Sequence, residues 1–211
     1  MADDGAPIRT RRSQSERRQE SESRLLAAAA QVVADQGVAA ATFEAIGRKA
    51  GYSRGLATQR FGSKQGLIEA LVDSLHQGFE DGLAAARIDD LPGLEALLAV
   101  VELYLTQLEL AAEGQAYFIL MAGAVADRSS LTAVFAREHQ RIETRLQGMI
   151  ARGQAEGGVR ADLDPHAAAL TVGSLLLGVS LQSLIDPSMK LAPLKEISLR
   201  TLRDSFQTAR G

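Results

Sequence analysis

The amino-acid sequence contains no cysteine in 211 residues, so disulfide bonds, thiolate nucleophiles and cysteine-ligated zinc sites are excluded. His76 and His166 have no partner at metal-ligand spacing. His139 and Glu143 stand four residues apart among arginines, and we interpret them as a solvated charged face. The Glu-x-x-His pairs of helical di-iron sites, nucleophile motifs, paired-carboxylate signatures and phosphate-binding glycine loops are also missing. These absences predict a protein that is not an enzyme and has no metal and no cofactor.

The sequence also lacks clear membrane signals. Its first twenty residues contain no apolar core of a secretory signal. The longest stretch without a formal charge, 165–185, has nearly the length of a membrane span. It carries several hydroxyl, amide and imidazole groups, however, and no basic residue adjoins either end. We therefore predict a helix covered by protein, and a cytoplasmic protein with no membrane partner.

The charges of the chain are unevenly distributed. Residues 1–64 contain eleven Lys and Arg against seven Asp and Glu, a balance of +4. Residues 65–211 contain twelve against nineteen, a balance of -7. A basic front and an acidic rear indicate that the front of the protein faces a polyanion.

Apolar residues recur at helical spacing along most of the chain, and hydrophobic residues make up 46% of it. Glycine, proline and serine breakers divide these stretches into about nine helices. An alternating β pattern of useful length is missing, and the run 159–163 comes nearest to one. Thr42, Ser53 and Ser63 stand where the N-caps of three successive helices are expected. The sequence therefore predicts an all-α fold.

The stretch 50–67, AGYSRGLATQRFGSKQGL, is small, basic and rich in glycine. Two short helices joined by a glycine-containing turn are typical of a helix-turn-helix motif. Gly51 allows the left-handed backbone that a sharp turn needs. Gly47, Ala50 and Ala57 are small enough for the two helices to cross closely. The stretch therefore predicts a DNA-reading motif.

The second helix of this motif carries side chains that suit a DNA groove of ~12 Å width. Arg54 and Arg60 can pair bidentately with guanine, and Gln59 can pair with adenine. Thr58 can reach a phosphate or a thymine methyl group. Lys64 begins the next helix, where a cation opposes the helix macrodipole, so we interpret it as a phosphate contact.

The sequence resembles the TetR family of bacterial repressors over about residues 20–72. That family has a leading helix, a threonine, an Ile-Ala-x-x-Ala-Gly-Val-Ser run, a short helix, and Phe-x-x-Lys before a leucine-rich helix. The matching residues here are Thr42, Ile46-Gly47, Ala50-Gly51-Tyr52-Ser53, Phe61-Gly62-Ser63-Lys64 and Leu67. The two aromatic residues that the family often has in the reading helix are replaced by Thr58 and Gln59. The operator sequence therefore cannot be transferred from a relative.

The resemblance implies a DNA-contacting role for several residues. Phosphate contacts are implied for Thr42, Tyr52, Thr58 and Lys64. Positions near base edges are implied for Arg54, Gly55, Leu56, Gln59 and Arg60. Ser53, the expected cap of the reading helix, completes the predicted DNA-binding set.

We predict three regions: a flexible Arg-rich arm over 1–18, a three-helix helix-turn-helix domain over 19–66, and a larger helical effector-binding and dimerisation domain over 67–211. The arm either enters a neighbouring minor groove or is a tail without specific contacts. Its arginines are Arg9, Arg11, Arg12, Arg17 and Arg18.

The resemblance also implies a dimer and a ligand pocket in the rear of the chain. The last two helices are expected to form a four-helix contact between two subunits. The predicted interface residues are Leu170, Ser174, Leu177, Gly178, Leu181, Leu184, Leu199, Leu202 and Phe206. The predicted lining of the effector pocket is Tyr104, Leu108, Tyr117, Phe118 and Met121, with plain hydrophobic core as the alternative interpretation. Because no Lys or Arg cluster accompanies them, we expect a mostly apolar effector.

We therefore predict a homodimeric DNA-binding transcriptional regulator, a repressor rather than an activator, that binds an inverted-repeat operator and is released by a small molecule. The alternative is a helical small-molecule-binding, lipid-binding or adaptor protein without specific DNA recognition. That alternative explains the apolar C-terminal region but not the basic N-terminal region with its glycine-containing turn.

Overall fold

A computed structural model describes residues 13–110 and 112–208 of the chain. Within these ranges the protein has nine α-helices and two short 3₁₀ turns. The helices are α1 (Gln14–Gln36), α2 (Phe43–Ala50), α3 (Arg54–Phe61), α4 (Lys64–Ala85), α5 (Gly93–Leu110), α6 (Ala112–Ala126), α7 (Leu131–Ala155), α8 (Pro165–Ile185) and α9 (Leu191–Phe206). The described residues form no strand, and the nearest feature is a single bridge between Val159 and Gln207. The predicted all-α fold is confirmed.

Three helices begin at the caps that the sequence predicts. The Thr42 hydroxyl accepts a hydrogen bond from the Ala45 amide at 3.1 Å. Ser53 accepts one from the Leu56 amide at 3.2 Å, and Ser63 accepts one from Gly66 at 3.0 Å. Each bond satisfies an amide that the first turn of a helix leaves without an intrahelical partner.

The first helix begins earlier than the sequence pattern indicates. Ser13 and Glu16 form a capping box in which each side chain accepts from the backbone amide of the other. The predicted arm, 1–18, therefore overlaps α1 by five residues, and its Arg17 and Arg18 are exposed helical residues. The prediction relied on apolar periodicity, which the polar first turns of α1 lack. The rest of the predicted arm, 1–12, lies outside the described residues.

Two hydrophobic cores meet along α4 and α6. The first core consists of α1 to α3, the first half of α4, one face of α6 and the start of α7. The second core is formed by the end of α4 and Phe118 of α6 together with α5, α7, α8 and α9. Because α4 is continuous through both cores, the predicted domain border at 66/67 falls inside a single helix. Tyr117 and Met121 on α6 pack against both cores, so the two regions share a wall.

Helix α8 is long and apolar enough to cross a membrane by length and composition alone. A core helix of a soluble protein passes the same test. Here α8 packs on α7, and 33% of its most apolar window is buried. The remaining surface of α8 includes an exposed apolar face, described with the sites below.

Candidate functional site

Helices α2 and α3 cross closely because Gly47 stands at the crossing. A Cβ atom on Gly47 would lie 2.9 Å from the Tyr52 carbonyl oxygen, closer than side chains approach backbone. Ile46 and Ala57 are fully buried beside it. Gly51 ends α2 with φ of 75°, in the left-handed region that glycine adopts without strain. The predicted helix-turn-helix geometry is present.

The outer face of α3 is polar and exposed. Arg54, Gly55, Thr58 and Gln59 are all exposed to solvent. The Thr58 hydroxyl donates to the Arg54 carbonyl oxygen at 3.0 Å, within the helix. Across the described ranges, the side chains of Arg54 and Gln59 have no hydrogen bond or ion pair to another residue. This face is free to contact a polar ligand.

Arg60 is placed differently from the other predicted reading residues. Its guanidinium donates to the Ser21 hydroxyl of α1 at 3.2 Å. Its Nε atom is buried, without a hydrogen-bond partner among the described residues. The sequence groups Arg60 with the base-reading residues, but its hydrogen bond to Ser21 of α1 directs this side chain toward the protein.

Lys64 also has a partner inside the protein. Its ammonium group donates to the Ala39 carbonyl oxygen at 3.1 Å. This bond explains a lysine at the start of α4 without a phosphate, and the phosphate contact of Lys64 stays a prediction. Tyr52 and Leu56 are half-buried, and Tyr52 packs against the first core. The hydroxyls of Thr42 and Ser53 serve as caps while both residues stay exposed.

Six rings pack edge to face in the middle of the molecule. Tyr117 is central, with ring centroids 5.1 Å from Phe118 and 5.3 Å from both His76 and Phe135. Tyr104 lies 6.0 Å from Phe118 and 6.3 Å from Phe79. Such T-shaped pairs align the positive edge of one ring with the negative face of the next. The rings come from α4, α5, α6 and α7, so they connect most of the helices around this region.

Two cavities of about 90 Å³ each adjoin this ring cluster. Tyr104, Tyr117 and Phe118 line both cavities. Leu108 lines the first cavity and Met121 lines the second. The structure thus brings together all five residues of the predicted pocket, although their role in binding an effector stays a prediction.

An ionic network lies beside the first cavity, and its members Arg141 and Glu138 line that cavity. Arg141 on α7 pairs with Glu80 on α4 at 2.9 Å and with Glu138 at 3.1 Å. Arg145 pairs with Glu80 at 2.9 Å and with Asp89 at 3.0 Å. The sequence indicated a solvated face here, but these residues join α7 to α4. Glu143 likewise is half-buried and lies 2.8 Å from the His166 ring nitrogen.

Burial sets the protonation of three groups in the ring cluster. It raises the pKa of Tyr104, whose hydroxyl shares a 2.7 Å hydrogen bond with the buried Ser180. Burial, with the nearby charge of Glu138, raises the pKa of Tyr117 to about 12. Desolvation lowers the pKa of His76, whose Nε2 atom is buried without a hydrogen-bond partner in the described residues. The cluster therefore offers neutral hydroxyls and a neutral imidazole.

An apolar stripe runs along the outside of α8. Leu170, Leu177, Leu181 and Ile185 are 39%, 40%, 51% and 75% exposed, and Ser174 is exposed between them. On α9, Ile197 is 50% exposed. The predicted interface residues Gly178, Leu184 and Leu199 are half-buried.

Two predicted interface residues face the interior instead. Leu202 and Phe206 are each 5% exposed and belong to the second core. Their size and apolar character predict an interface role, but α9 packs on α5 and buries both side chains in the second core. The outer face of α9 presents the exposed Ile197.

Several residues of the pocket were not predicted as such. His76 and Phe79 stand three residues apart on α4, a spacing that puts both on one face of a helix. Phe135, Glu138 and Arg141 come from the arginine-rich part of α7. Helical spacing could have grouped them, but only the fold shows that α4 and α7 face each other. Within 13–110 and 112–208, His, Asp and Glu residues form no group that could hold a metal ion.

Comparison with protein families and solved structures places these features in context. The family described as bacterial regulatory proteins, tetR family, matches residues 25–71, and the C-terminal domain of BetI-type transcriptional repressors matches residues 93–207. No curated protein sequence matches the chain.

Solved structures of regulators share the fold. A TetR transcriptional regulator from Chloroflexus aurantiacus is 18% identical, with a TM-score of 0.76 over 92% of this chain and 100% of that one. SmeT, the repressor of the Stenotrophomonas maltophilia multidrug efflux pump SmeDEF, is 24% identical, with a TM-score of 0.70 over 89% and 90%. A structure of SmeT with triclosan also matches. NalD, the secondary repressor of the Pseudomonas aeruginosa MexAB-OprM pump, is 19% identical, with a TM-score of 0.64 over 92% and 100%.

Proposed function

Because the chain belongs to the tetR family of bacterial regulatory proteins, we propose that it is a cytoplasmic, non-enzymatic transcriptional repressor that binds an inverted-repeat operator as a homodimer. The observation that carries this proposal is the exposed polar face of α3. Arg54 and Gln59 there have no partner in the described protein, while the helix itself is fixed by the close crossing at Gly47. Long polar side chains on a rigid helix suit the readout of base edges in a major groove.

The apolar stripe on α8 supports the dimer. A single reading helix contacts few base pairs, whereas a dimer presents two helices one turn of DNA apart, ~34–36 Å. Leu170, Leu177, Leu181 and Ile185 repeat along one face of α8, and an exposed apolar face of that length is typical of a protein interface. We place the partner subunit on this face and beside Ile197 of α9.

The ring-lined cavities support a small-molecule effector. SmeT, a structural neighbour, has been solved with triclosan. Here each cavity is about 90 Å³, below the ~300 Å³ at which pockets for drug-sized ligands begin. A ligand would therefore have to separate α4, α6 and α7. Helix α4 begins directly after the helix-turn-helix formed by α2 and α3. Such a separation would therefore move the two reading helices of a dimer and lower its affinity for DNA.

The experiment is fluorescence anisotropy of the full-length protein with the DNA that flanks its own gene, beside random DNA, at several salt concentrations. We expect tight binding to a fragment with an inverted repeat and binding of random DNA weaker by ~10³-fold or more. Both affinities should fall as salt rises, because bound phosphates release counterions.

A matched pair of arginine variants sharpens this experiment. Arg54→Ala removes an exposed side chain of the reading helix, and Arg137→Ala removes an exposed side chain of α7. We expect only Arg54→Ala to weaken operator binding, by about 1–3 kcal/mol. Weak and equal binding of flanking and random DNA, unchanged by Arg54→Ala, would favour a helical binding protein without sequence-specific recognition.

A further inference from the structure

Acidic side chains outnumber basic ones around the two ring-lined cavities. Glu113 and Glu138 line the first cavity, and Glu143 lines the second. Arg141 is the one arginine or lysine among the described lining residues. With histidine counted as neutral, three carboxylates and one guanidinium leave an excess of two negative charges.

The positive charge of Arg141 is already engaged. Its guanidinium lies 2.9 Å from Glu80 and 3.1 Å from Glu138, while Glu80 and Asp89 also hold Arg145. In this network three carboxylates therefore meet two guanidinium groups, and its members Glu138 and Arg141 line the first cavity. An anionic ligand would have to displace a carboxylate from Arg141, whereas a cationic ligand would meet surplus negative charge.

Glu138 and Glu113 direct their charge toward this space in different ways. The charge of Glu138 reaches the ring cluster, since it contributes to the raised pKa of Tyr117. Glu113 lines the first cavity as an exposed residue of α6, without an ion pair to any described residue. A ligand's positive charge could be placed between these two glutamates.

The rest of the lining suits the apolar body of such a ligand. Phe79, Tyr104, Tyr117 and Phe118 present rings to the cavities, and the negative faces of aromatic rings attract cations. His76 adds no competing charge, because burial keeps its imidazole neutral. Its buried Nε2 atom has no hydrogen-bond partner in the described part of the chain.

We infer that the pocket between α4, α6 and α7 takes an organic cation with an aromatic or otherwise apolar body, and that Glu138 and Glu113 select its charge. This inference rests on the proposed function, because it names the ligand class of the same effector pocket. Pairing of a cation with Glu138 would also weaken the hold of Glu138 on Arg141. Since Arg141 is bound to Glu80 of α4, the ligand's charge would act on α4, the helix that follows the helix-turn-helix.

The test uses three small probes that differ in charge and share a benzene ring with a tetrahedral substituent. They are phenyltrimethylammonium, tert-butylbenzene and benzenesulfonate, which are positive, neutral and negative. Their binding to the full-length protein is measured by isothermal titration calorimetry. Glu138→Gln and Glu113→Gln remove the proposed charges, and Glu102→Gln, an exposed residue of α5 outside both linings, is the control.

We expect phenyltrimethylammonium to bind at least ~5-fold more tightly than tert-butylbenzene, and benzenesulfonate to bind most weakly. Each pocket variant should reduce the preference for the cation and leave binding of tert-butylbenzene unchanged. The control variant should keep the full preference. Equal or tighter binding of the neutral or the negative probe overturns the inference, and so does binding of none of the three. Calorimetry needs no DNA, so these outcomes are separate from a failure of the protein to bind its operator.

Discussion

At the scale of single residues, neighbours on α3 have different roles because successive side chains point about 100° apart around a helix. Gln59 is exposed and without a partner among the described residues, whereas Arg60 turns back to Ser21 on α1. The proposed reading surface is therefore narrower than the run RGLATQR suggests. The Arg60 side chain instead joins α3 to α1 within the helix-turn-helix domain.

This difference predicts opposite results for two alanine variants. Gln59→Ala should leave the free energy of unfolding within ~0.5 kcal/mol of the parent, while weakening operator binding by about 1–3 kcal/mol. Arg60→Ala should lower the free energy of unfolding by ~1 kcal/mol, because the bond to Ser21 is lost. Urea denaturation and anisotropy on operator and random DNA measure both effects. Unchanged stability of Arg60→Ala, together with a loss confined to the operator, would return Arg60 to the base-reading set.

His76 predicts a pH dependence of stability. Burial lowers its pKa from 6.5, against the opposing charges of Glu138, Asp73 and Glu80. The unfolded chain therefore binds a proton more readily than the folded one. The contribution of neutral His76 is fully present above pH ~6.5 and is lost as pH falls below it.

The measurement is urea denaturation of the parent and of His76→Gln at pH values from 8 down to 5.5. The free energy of unfolding of the parent should fall more steeply on acidification than that of His76→Gln. The comparison isolates His76, because the two proteins differ at no other residue. Parallel curves over this range would mean that His76 is readily protonated in the folded protein.

At the scale of elements, the turn between α2 and α3 depends on backbone conformation rather than on space. Gly51 has φ of 75°, and a Cβ atom there would meet nothing within 4 Å. Gly51→Val should lower the free energy of unfolding by about 1–2 kcal/mol, because a β-branched residue is strained in the left-handed region. Gly51→Asn should cost less, since asparagine tolerates that region. Thermal or urea unfolding of the two variants measures the difference. Equal losses in the two variants would show that the loss of stability does not depend on how well the new residue tolerates the left-handed region.

The elements could be predicted from sequence where the signal is local. Thr42, Ser53 and Ser63 act through amides three residues away, so their caps are readable from spacing. The signal for the start of α1 is also local, because it lies in the capping box of Ser13 and Glu16. Apolar periodicity does not detect this signal.

The partners of charged side chains could not be predicted in the same way. Lys64 bonds to Ala39, Arg60 to Ser21 and Arg141 to Glu80 across 25, 39 and 61 positions of the chain. Only the packing of helices decides such pairs. The five residues of the predicted pocket did come together, because large apolar residues in the middle of α5 and α6 face the space between these helices and α4 and α7.

At the scale of the whole molecule, α4 and α6 join two functions. Helix α4 begins directly after the helix-turn-helix and carries Glu80, with its ion pairs, in its second half. Helix α6 packs on α1 and carries Tyr117 and Met121 of the ring-lined cavities. Both helices contribute side chains to each of the two cores, so a ligand that separates these helices disturbs both cores.

The proposed dimer can be tested with two matched substitutions of exposed apolar residues. Leu181 is 51% exposed within the stripe on α8, and Val125 is 59% exposed on α6. Leu181→Glu places a charge in the proposed interface and should yield a monomer of 22.5 kDa. Val125→Glu should keep twice that mass. Light scattering after size exclusion measures both proteins.

The same pair of variants tests how the operator is read. A dimer binds its second half-site at the high effective concentration that the first contact provides, and a monomer loses this gain. Operator binding by Leu181→Glu should therefore fall by 10²-fold or more. Its affinity for a single half-site should match that of Val125→Glu, because α3 is unchanged in both. A monomeric variant that still binds the inverted repeat like the parent would show that the two half-sites are read independently. A dimeric Leu181→Glu variant would move the subunit contact away from the exposed stripe on α8.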